Sequence, residues 1–144
     1  MSDYKKLSHT IYHCKYHVVF CPKYRYRIFT TDVAAYTRQQ IHQLCRQKEL
    51  LEILELNVQP DHIHLVLSIP PKDAVSSVMG FLKGKLALHG FQRDDRFGKQ
   101  YWGRHLWARG YCVSTIGINE EQIRKSVNWQ EKKENELEQL QLEL

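Results

Sequence analysis

Gln59-Pro60-Asp61-His62-Ile63-His64-Leu65-Val66-Leu67-Ser68-Ile69-Pro70 is the stretch whose reading decides the fold. Its last residues alternate strictly. His62, His64, Val66 and Ser68 point one way, and Ile63, Leu65, Leu67 and Ile69 point the other. Period two with a single apolar face predicts a β-strand over about 62–69, packed on a core by that face alone. His62 and His64 then emerge side by side on the opposite face. They are roughly 6.6 Å apart along the backbone, close enough for both imidazoles to converge on one ion. An isolated His-x-His on a strand reads more simply as two surface histidines. A third ligand, a basic surface and a reactive group elsewhere are what would raise it to a metal site.

The rest of the chain supplies the surroundings of that strand. Its 144 residues suit one domain, 1–144, with one core. No apolar run approaches a membrane span, and Met1-Ser2-Asp3-Tyr4-Lys5-Lys6 lacks the apolar segment of a signal peptide. Cys14, Cys21, Cys45 and Cys112 are scattered, with no Cys-x-x-Cys pair. That argues against a disulfide framework or a zinc ribbon and makes the cytoplasm the expected location, with no membrane partner. The net charge of +5 is uneven: residues 1–110 carry 17 Lys/Arg against 9 Asp/Glu, and residues 111–144 carry 4 against 7. A basic body with an acidic tail suits a polyanionic partner, although a solvated surface with excess lysine has the same composition.

Residues 11–20 alternate as well, with Tyr12, Cys14, Tyr16, Val18 and Phe20 on an apolar face and His13, Lys15 and His17 on the other. They read as a first strand. Pro22-Lys23-Tyr24-Arg25-Tyr26-Arg27 interleaves cations with tyrosines, which suits single-stranded nucleic acid; an exposed loop whose tyrosines pack down has the same pattern. A helix capped by Thr30 or Thr31, with Asp32 in its first turn, is expected to run to about Lys48, with Ile41, Leu44 and Cys45 on one face. A strand at about 51–58 should turn Leu54, Leu56 and Val58 to one side.

After Pro70-Pro71, a second helix is expected from about Asp73, with Val75, Val78, Met79, Leu82 and Leu86 at helical spacing. Gly80 and Gly84 weaken it and suggest close approach of another backbone, while Lys83 and Lys85 lie near its end, off the apolar stripe. Residues 90–105 read as a loop and 106–115 as a fourth strand. Asn119 would cap a last helix, and residues 131–144 would extend it or be partly disordered.

The order β-α-β-β-α-β-α is the split βαβ, ferredoxin-like arrangement of the α+β class, RRM-like, with an extra C-terminal helix. In that topology the first and third strands are central neighbours in an antiparallel sheet, and the two long helices cover one face. The open face would then carry His13, Lys15 and His17 beside His62 and His64.

Pro60-Asp61-His62-Ile63-His64-Leu65 resembles the His-hydrophobic-His (HUH) motif of the small single-tyrosine DNA transposases of bacterial insertion sequences, the IS-two-hundred-like group. His13-Cys14-Lys15-Tyr16-His17-Val18-Val19-Phe20 with Pro22-Lys23-Tyr24-Arg25 is similar to that family's opening strand. Residues 76–85 are similar to its second helix, and Trp107-Ala108-Arg109-Gly110-Tyr111 with Ser114-Thr115-Ile116-Gly117 to the segment before its catalytic helix. The likeness spans nearly the whole chain.

The resemblance implies a homodimeric enzyme acting on single-stranded DNA at hairpin-marked ends. It implies a divalent ion, Mg²⁺ or Mn²⁺, on His62, His64 and Gln130, although imidazoles alone would also admit Zn²⁺ or Ni²⁺. It implies nicking and rejoining through a 5′-phosphotyrosine. Positions 126 and 130 are one helical turn apart and would share a face. The family's tyrosine maps onto Ser126. A serine hydroxyl is shorter, is a harder alkoxide to form and expel than a phenol of pKa about 10, and has no evident base. A cleavage-defective chain is therefore expected, with Tyr111 or Tyr101 as substitutes only from outside the helix. Lys15, Lys23, Arg25, Arg27, Lys83 and Lys85 are the expected DNA contacts, followed by Arg124 and Lys125. The competing class is a non-catalytic module whose sheet stacks unpaired bases, as RNA-binding folds do.

Overall fold

The computed structural model describes residues 4–93 and 105–117. Among these, residues 14–93 and 105–116 belong to one compact unit and residues 4–13 with Gly117 to a second. In the second, β1 (Lys5–Leu7) and β2 (Thr10–Tyr12) make an antiparallel hairpin. In the first, β3 (Lys15–Phe20), α1 (Thr31–Arg46), β4 (Glu52–Gln59), β5 (His62–Ser68), α2 (Val75–Arg93) and β6 (Cys112–Thr115) follow in order. Their sheet is antiparallel with the order β4-β5-β3-β6, so the first and third strands of the unit are adjacent and central, as the split βαβ reading requires.

The core face follows from alternation. Phe20 pairs with Ile63, Val18 with Leu65 and Tyr16 with Leu67 across the β3–β5 ladder. Val18, Phe20, Ile63, Leu65 and Leu67 are buried to within 2%. Each such side chain contributes roughly 1.5–3 kcal/mol by leaving water. Val33, Ile41, Leu44 and Cys45 of α1 and Val78, Met79, Leu82 and Leu86 of α2 complete the same cluster, so both helices lie on this one face.

Several expectations are corrected. The strand expected over 11–20 is broken: Thr10–Tyr12 finds a partner in Lys5–Leu7, and the β3 ladder starts only at Lys15. His13 is therefore outside that ladder, its ring 5.6 Å from that of Tyr4. In β4 the register shifts between Ile53 and Glu55. The bulge leaves Leu54 exposed, while Ile53 and Leu56 pack against the core and Val58 joins it. The second helix extends to Arg93, so Lys83 and Lys85 sit mid-helix. Among the described residues nothing lies within 4 Å of a Cβ built at Gly80 or Gly84, so neither marks a close approach there. Thr30 occupies the cap of α1 without a side-chain cap bond. Ser68, placed on the open face by its parity, is 1% exposed.

The fourth strand is only Cys112–Thr115. Residues 105–111 are irregular, with one bridge from Trp107 to Pro22 and Gly110 at φ +73°. A positive φ of that size is where glycine is at home. The expected last helix, with Asn119, Arg124, Lys125, Ser126 and Gln130, lies outside the described residues.

Candidate metal and nucleic-acid site

β5 is hydrogen-bonded on both edges, which fixes the pleat from which His62 and His64 project. Both are half-buried on the face away from the helices. Their ring centroids are 4.9 Å apart with planes at 71°. Each ring is tied at the same atom. His62 Nδ1 lies 2.7 Å from Asp61 Oδ1, a carboxylate in the two-residue turn that joins β4 to β5. His64 Nδ1 lies 2.9 Å from Nε2 of His17, two residues along β3 from its ladder partner Val19, with the two rings stacked at 20°. Occupied Nδ1 atoms leave Nε2 of both motif histidines as the donors with no contact among the described residues. Partners of this kind select the tautomer and aim the lone pair of a metal-binding imidazole.

A second tie runs outward. Arg25 Nη2 is 3.3 Å from Asp61 Oδ2, so Arg25, Asp61 and His62 form a chain of contacts. The His62 hydrogen bond, reinforced by the Arg25 guanidinium, holds the Asp61 carboxyl below its usual range. Partial burial holds the His64 imidazole below its ordinary value, and charge on His62 or His17 would push it the same way. Burial thus favours the neutral form of His64, the form that binds a cation. Among the described residues, no three His, Cys, Asp or Glu side chains converge as a complete metal site. The pair needs a further donor, and Gln130, the expected one, lies outside the described residues.

The expected cationic residues separate into groups. Arg25 is joined to the histidine pair through Asp61, and Lys23 and Arg27 flank it in the same connector. Tyr24 and Arg25 there have φ of +63° and +50°, a left-handed turn that costs non-glycine residues about 1–2 kcal/mol each. Tyr24 is exposed, its ring 5.4 Å from that of Tyr26 and 5.3 Å from the Lys23 ammonium, so this tyrosine does not pack down into the core. Lys15 sits opposite Ser68, at the far end of the ladder from His62. Lys85 is exposed on α2, in the layer behind the sheet. Lys83 is turned to backbone: its ammonium donates to the carbonyls of Ala108 at 3.2 Å and Gly110 at 2.9 Å.

Sequence reasoning missed Arg109 and the pocket-lining role of Tyr111. Both line a cleft of about 600 Å³ together with Arg25, His62, His64 and Cys112. The only signal in the sequence was their place in the segment 107–111. A second cleft, of about 550 Å³, opens on the other side of His64 and is lined by His17, Glu55 and Asn57.

The profile of the family described as "Transposase IS200 like" matches residues 10–130. The chain belongs to the IS200-like transposase family. It is 40% identical over 142 residues to the transposase of insertion sequence element IS200 from Salmonella typhimurium, covering 99% of this chain and 93% of that one. It is 32% identical over 133 residues to the ISDra2 transposase TnpA of Deinococcus radiodurans, covering 92% and 94%. A solved Deinococcus radiodurans structure assigned as a transposase superposes with a TM-score of 0.70 at 28% identity, covering 88% of this chain and 97% of that one. The fold is shared more distantly, at a TM-score of 0.55 and 18% identity, with a REP-associated tyrosine transposase solved on a REP hairpin; that match covers 87% of this chain and 68% of the other. Membership bears out the family resemblance of the His-hydrophobic-His stretch, and no helix among the described residues is long and apolar enough to cross a membrane.

Proposed function

We propose that this IS200-like transposase binds hairpin-marked single-stranded DNA ends as a homodimer and holds a divalent ion, Mg²⁺ or Mn²⁺, on His62, His64 and Gln130. The observation that carries the reading is the pair of Nδ1 contacts: Asp61 on His62 and His17 on His64 leave two Nε2 atoms without a contact among the described residues, on the sheet face away from α1 and α2. The donor set fits such an ion, since neutral imidazoles and one amide oxygen leave positions for phosphate oxygens. When bound, the ion supplies Lewis-acid polarisation of the scissile phosphate. The protein's own part is to fix the two rings, to keep His64 unprotonated, and to offer Arg25 and Arg27 to the DNA backbone. The solved relative on a REP hairpin supports hairpin DNA as the ligand class.

Ser126 at the tyrosine position makes the chain a DNA-binding scaffold that cleaves poorly or not at all. A labelled hairpin oligonucleotide with a single-stranded flank, incubated with Mn²⁺ and either the native chain or Ser126→Tyr, tests this. Nicking with a covalent protein–DNA adduct only in Ser126→Tyr is the expected result. No cleavage by either chain with any divalent metal would replace the enzyme reading with a binding module. Tyr111 gives a second reading a specific footing, because its side chain lines the same cleft as His62 and His64. A native-chain adduct abolished by Tyr111→Phe would assign the nucleophile to it.

A further inference from the structure

Residues 105–111 have no regular secondary structure, yet 108–111 among them form one wall of the cleft beside the histidine pair. What holds them is a reciprocal clamp with the middle of α2. Lys83 Nζ donates to the carbonyls of Ala108 and Gly110, and Trp107 Nε1 donates back to the Lys83 carbonyl at 2.8 Å. The other side of the segment is fastened to the connector after β3: Lys23 N donates to Leu106 O at 2.7 Å, and Ala108 N donates to Cys21 O at 3.0 Å. Gly110, with its positive φ, lies at the second clamped carbonyl.

Arg109 lies between the two clamped carbonyls. Its backbone is fixed on both sides, and its side chain is exposed at the cleft. Lys83 is the reverse: its ammonium is part-buried and already has two acceptors, and it lies 6.0 Å from the centre of the Tyr111 ring. A cation with its protons directed at backbone carbonyls has little left for a phosphate. A guanidinium held at the rim of a cleft that also contains His62, His64 and Arg25 is free to take one.

We propose that Lys83 is a positioning residue: by clamping the 108 and 110 carbonyls it fixes Arg109 as a phosphate contact, and Tyr111 as a wall, of a nucleotide-binding cleft beside the histidine pair. The proposal rests on the DNA-binding reading above. An unpaired nucleotide is the ligand that suits a cationic rim with one aromatic wall, since the phosphate meets Arg109 and the base has the Tyr111 ring.

Two measurements on the full chain test it. The first is fluorescence-anisotropy binding of a labelled random-sequence single-stranded DNA pool across a salt series, for native, Lys83→Met, Arg109→Ala and the double variant. Arg109→Ala is expected to weaken binding about tenfold and to flatten the slope of log K against log salt by about 0.7. Lys83→Met should weaken binding in the native background; in the Arg109→Ala background it should leave the salt slope unchanged, and any remaining loss should be the salt-independent share of the Tyr111 wall. Additive losses, with another 0.7 off the slope, would make Lys83 a phosphate contact itself and overturn the proposal. The second is hydrogen exchange of residues 106–112, which needs no DNA. Lys83→Met should raise exchange there, and unchanged exchange would refute the clamp. If the native chain does not bind the pool, the DNA reading fails while exchange still decides the clamp. Should Lys83→Met not fold, Trp107→Phe removes the return bond together with part of the ring packing on Phe20 and Phe29, and it should raise exchange over the same residues.

Discussion

Replacing His17 by alanine is the sharpest test of the site, because it leaves both motif histidines untouched. The substitution removes the group 2.9 Å from His64 Nδ1. The backbone should hold, since β3 is paired to β5 on one edge and β6 on the other. For His64 to offer Nε2 to a cation, its Nδ1 must carry the proton and donate it to His17 Nε2. Without His17 the ring is free to take the other tautomer or to turn about its side-chain bond. One neutral hydrogen bond contributes about 1 kcal/mol net, and orienting partners of metal-bound histidines typically change metal affinity by about 10–100-fold. The neutral imidazole of His17 belongs at the low end, about tenfold, or about 1.4 kcal/mol. The charged Asp61 at 2.7 Å from His62 belongs nearer the high end, so Asp61→Ala should lose more. Titration calorimetry with Mn²⁺ at neutral pH reads both, and His17→Asn, which restores an acceptor oxygen, should recover part of the loss. Native-like Mn²⁺ affinity in a folded His17→Ala chain would refute the reasoning, since His64 would then need no partner.

Further outcomes follow from burial at three residues. The depressed His64 value means that the unfolded chain takes up a proton first as acid is added. Stability should be full above the ordinary imidazole value of 6.5 and decline as pH falls below it, and His64→Asn should flatten that part of a pH series of melting temperatures. Burial pushes the Cys45 thiol up to about 12, so a disulfide-exchange reagent should label exposed Cys112 promptly and Cys45 only on unfolding. The same raised value predicts stability that is present below pH 9 and lost as pH rises through that of the folded thiol. The Ser68 hydroxyl is buried with no hydrogen-bond partner among the described residues, so Ser68→Ala should raise stability by about 1 kcal/mol in a denaturant melt. A loss of stability there would mean that the hydroxyl has a partner.

The parts of the fold that could be read from the chain are those where one side of an element is wet and the other dry. Residues 62–69 alternate without a break, and Ile41, Leu44 and Cys45 share a helical face, so local period was enough. Ile53-Leu54 offers two apolar neighbours and therefore two registers; only pairing with β5 selects the bulge. The strand expected over 106–115 carries a period-two pattern in part, but Gly110 and the Lys83 clamp take residues 106–111 out of the ladder, and that is a tertiary effect. His62 and His64 were visible as a pair because two positions on one strand fix their own relation. His17 was visible as an outward side chain, but its contact with His64 depends on the cross-strand register, which no local pattern contains. Arg109 had no periodic signal, because its place comes from bonds made by a distant helix.

Ile63, fully buried, stands between the two open imidazoles. The pair is therefore seated on a stretch of chain whose movement would disturb the interior. Arg25 and Arg109, by contrast, are exposed side chains at the tips of aperiodic connectors at 21–30 and 105–111, where a substitution of the side chain itself meets little packing. Chemistry and recognition are thus mounted on parts with different tolerance for change. Such a scaffold can drift toward new DNA ends, or lose its nucleophile and persist as a binder, while the histidine geometry stays where the core sets it.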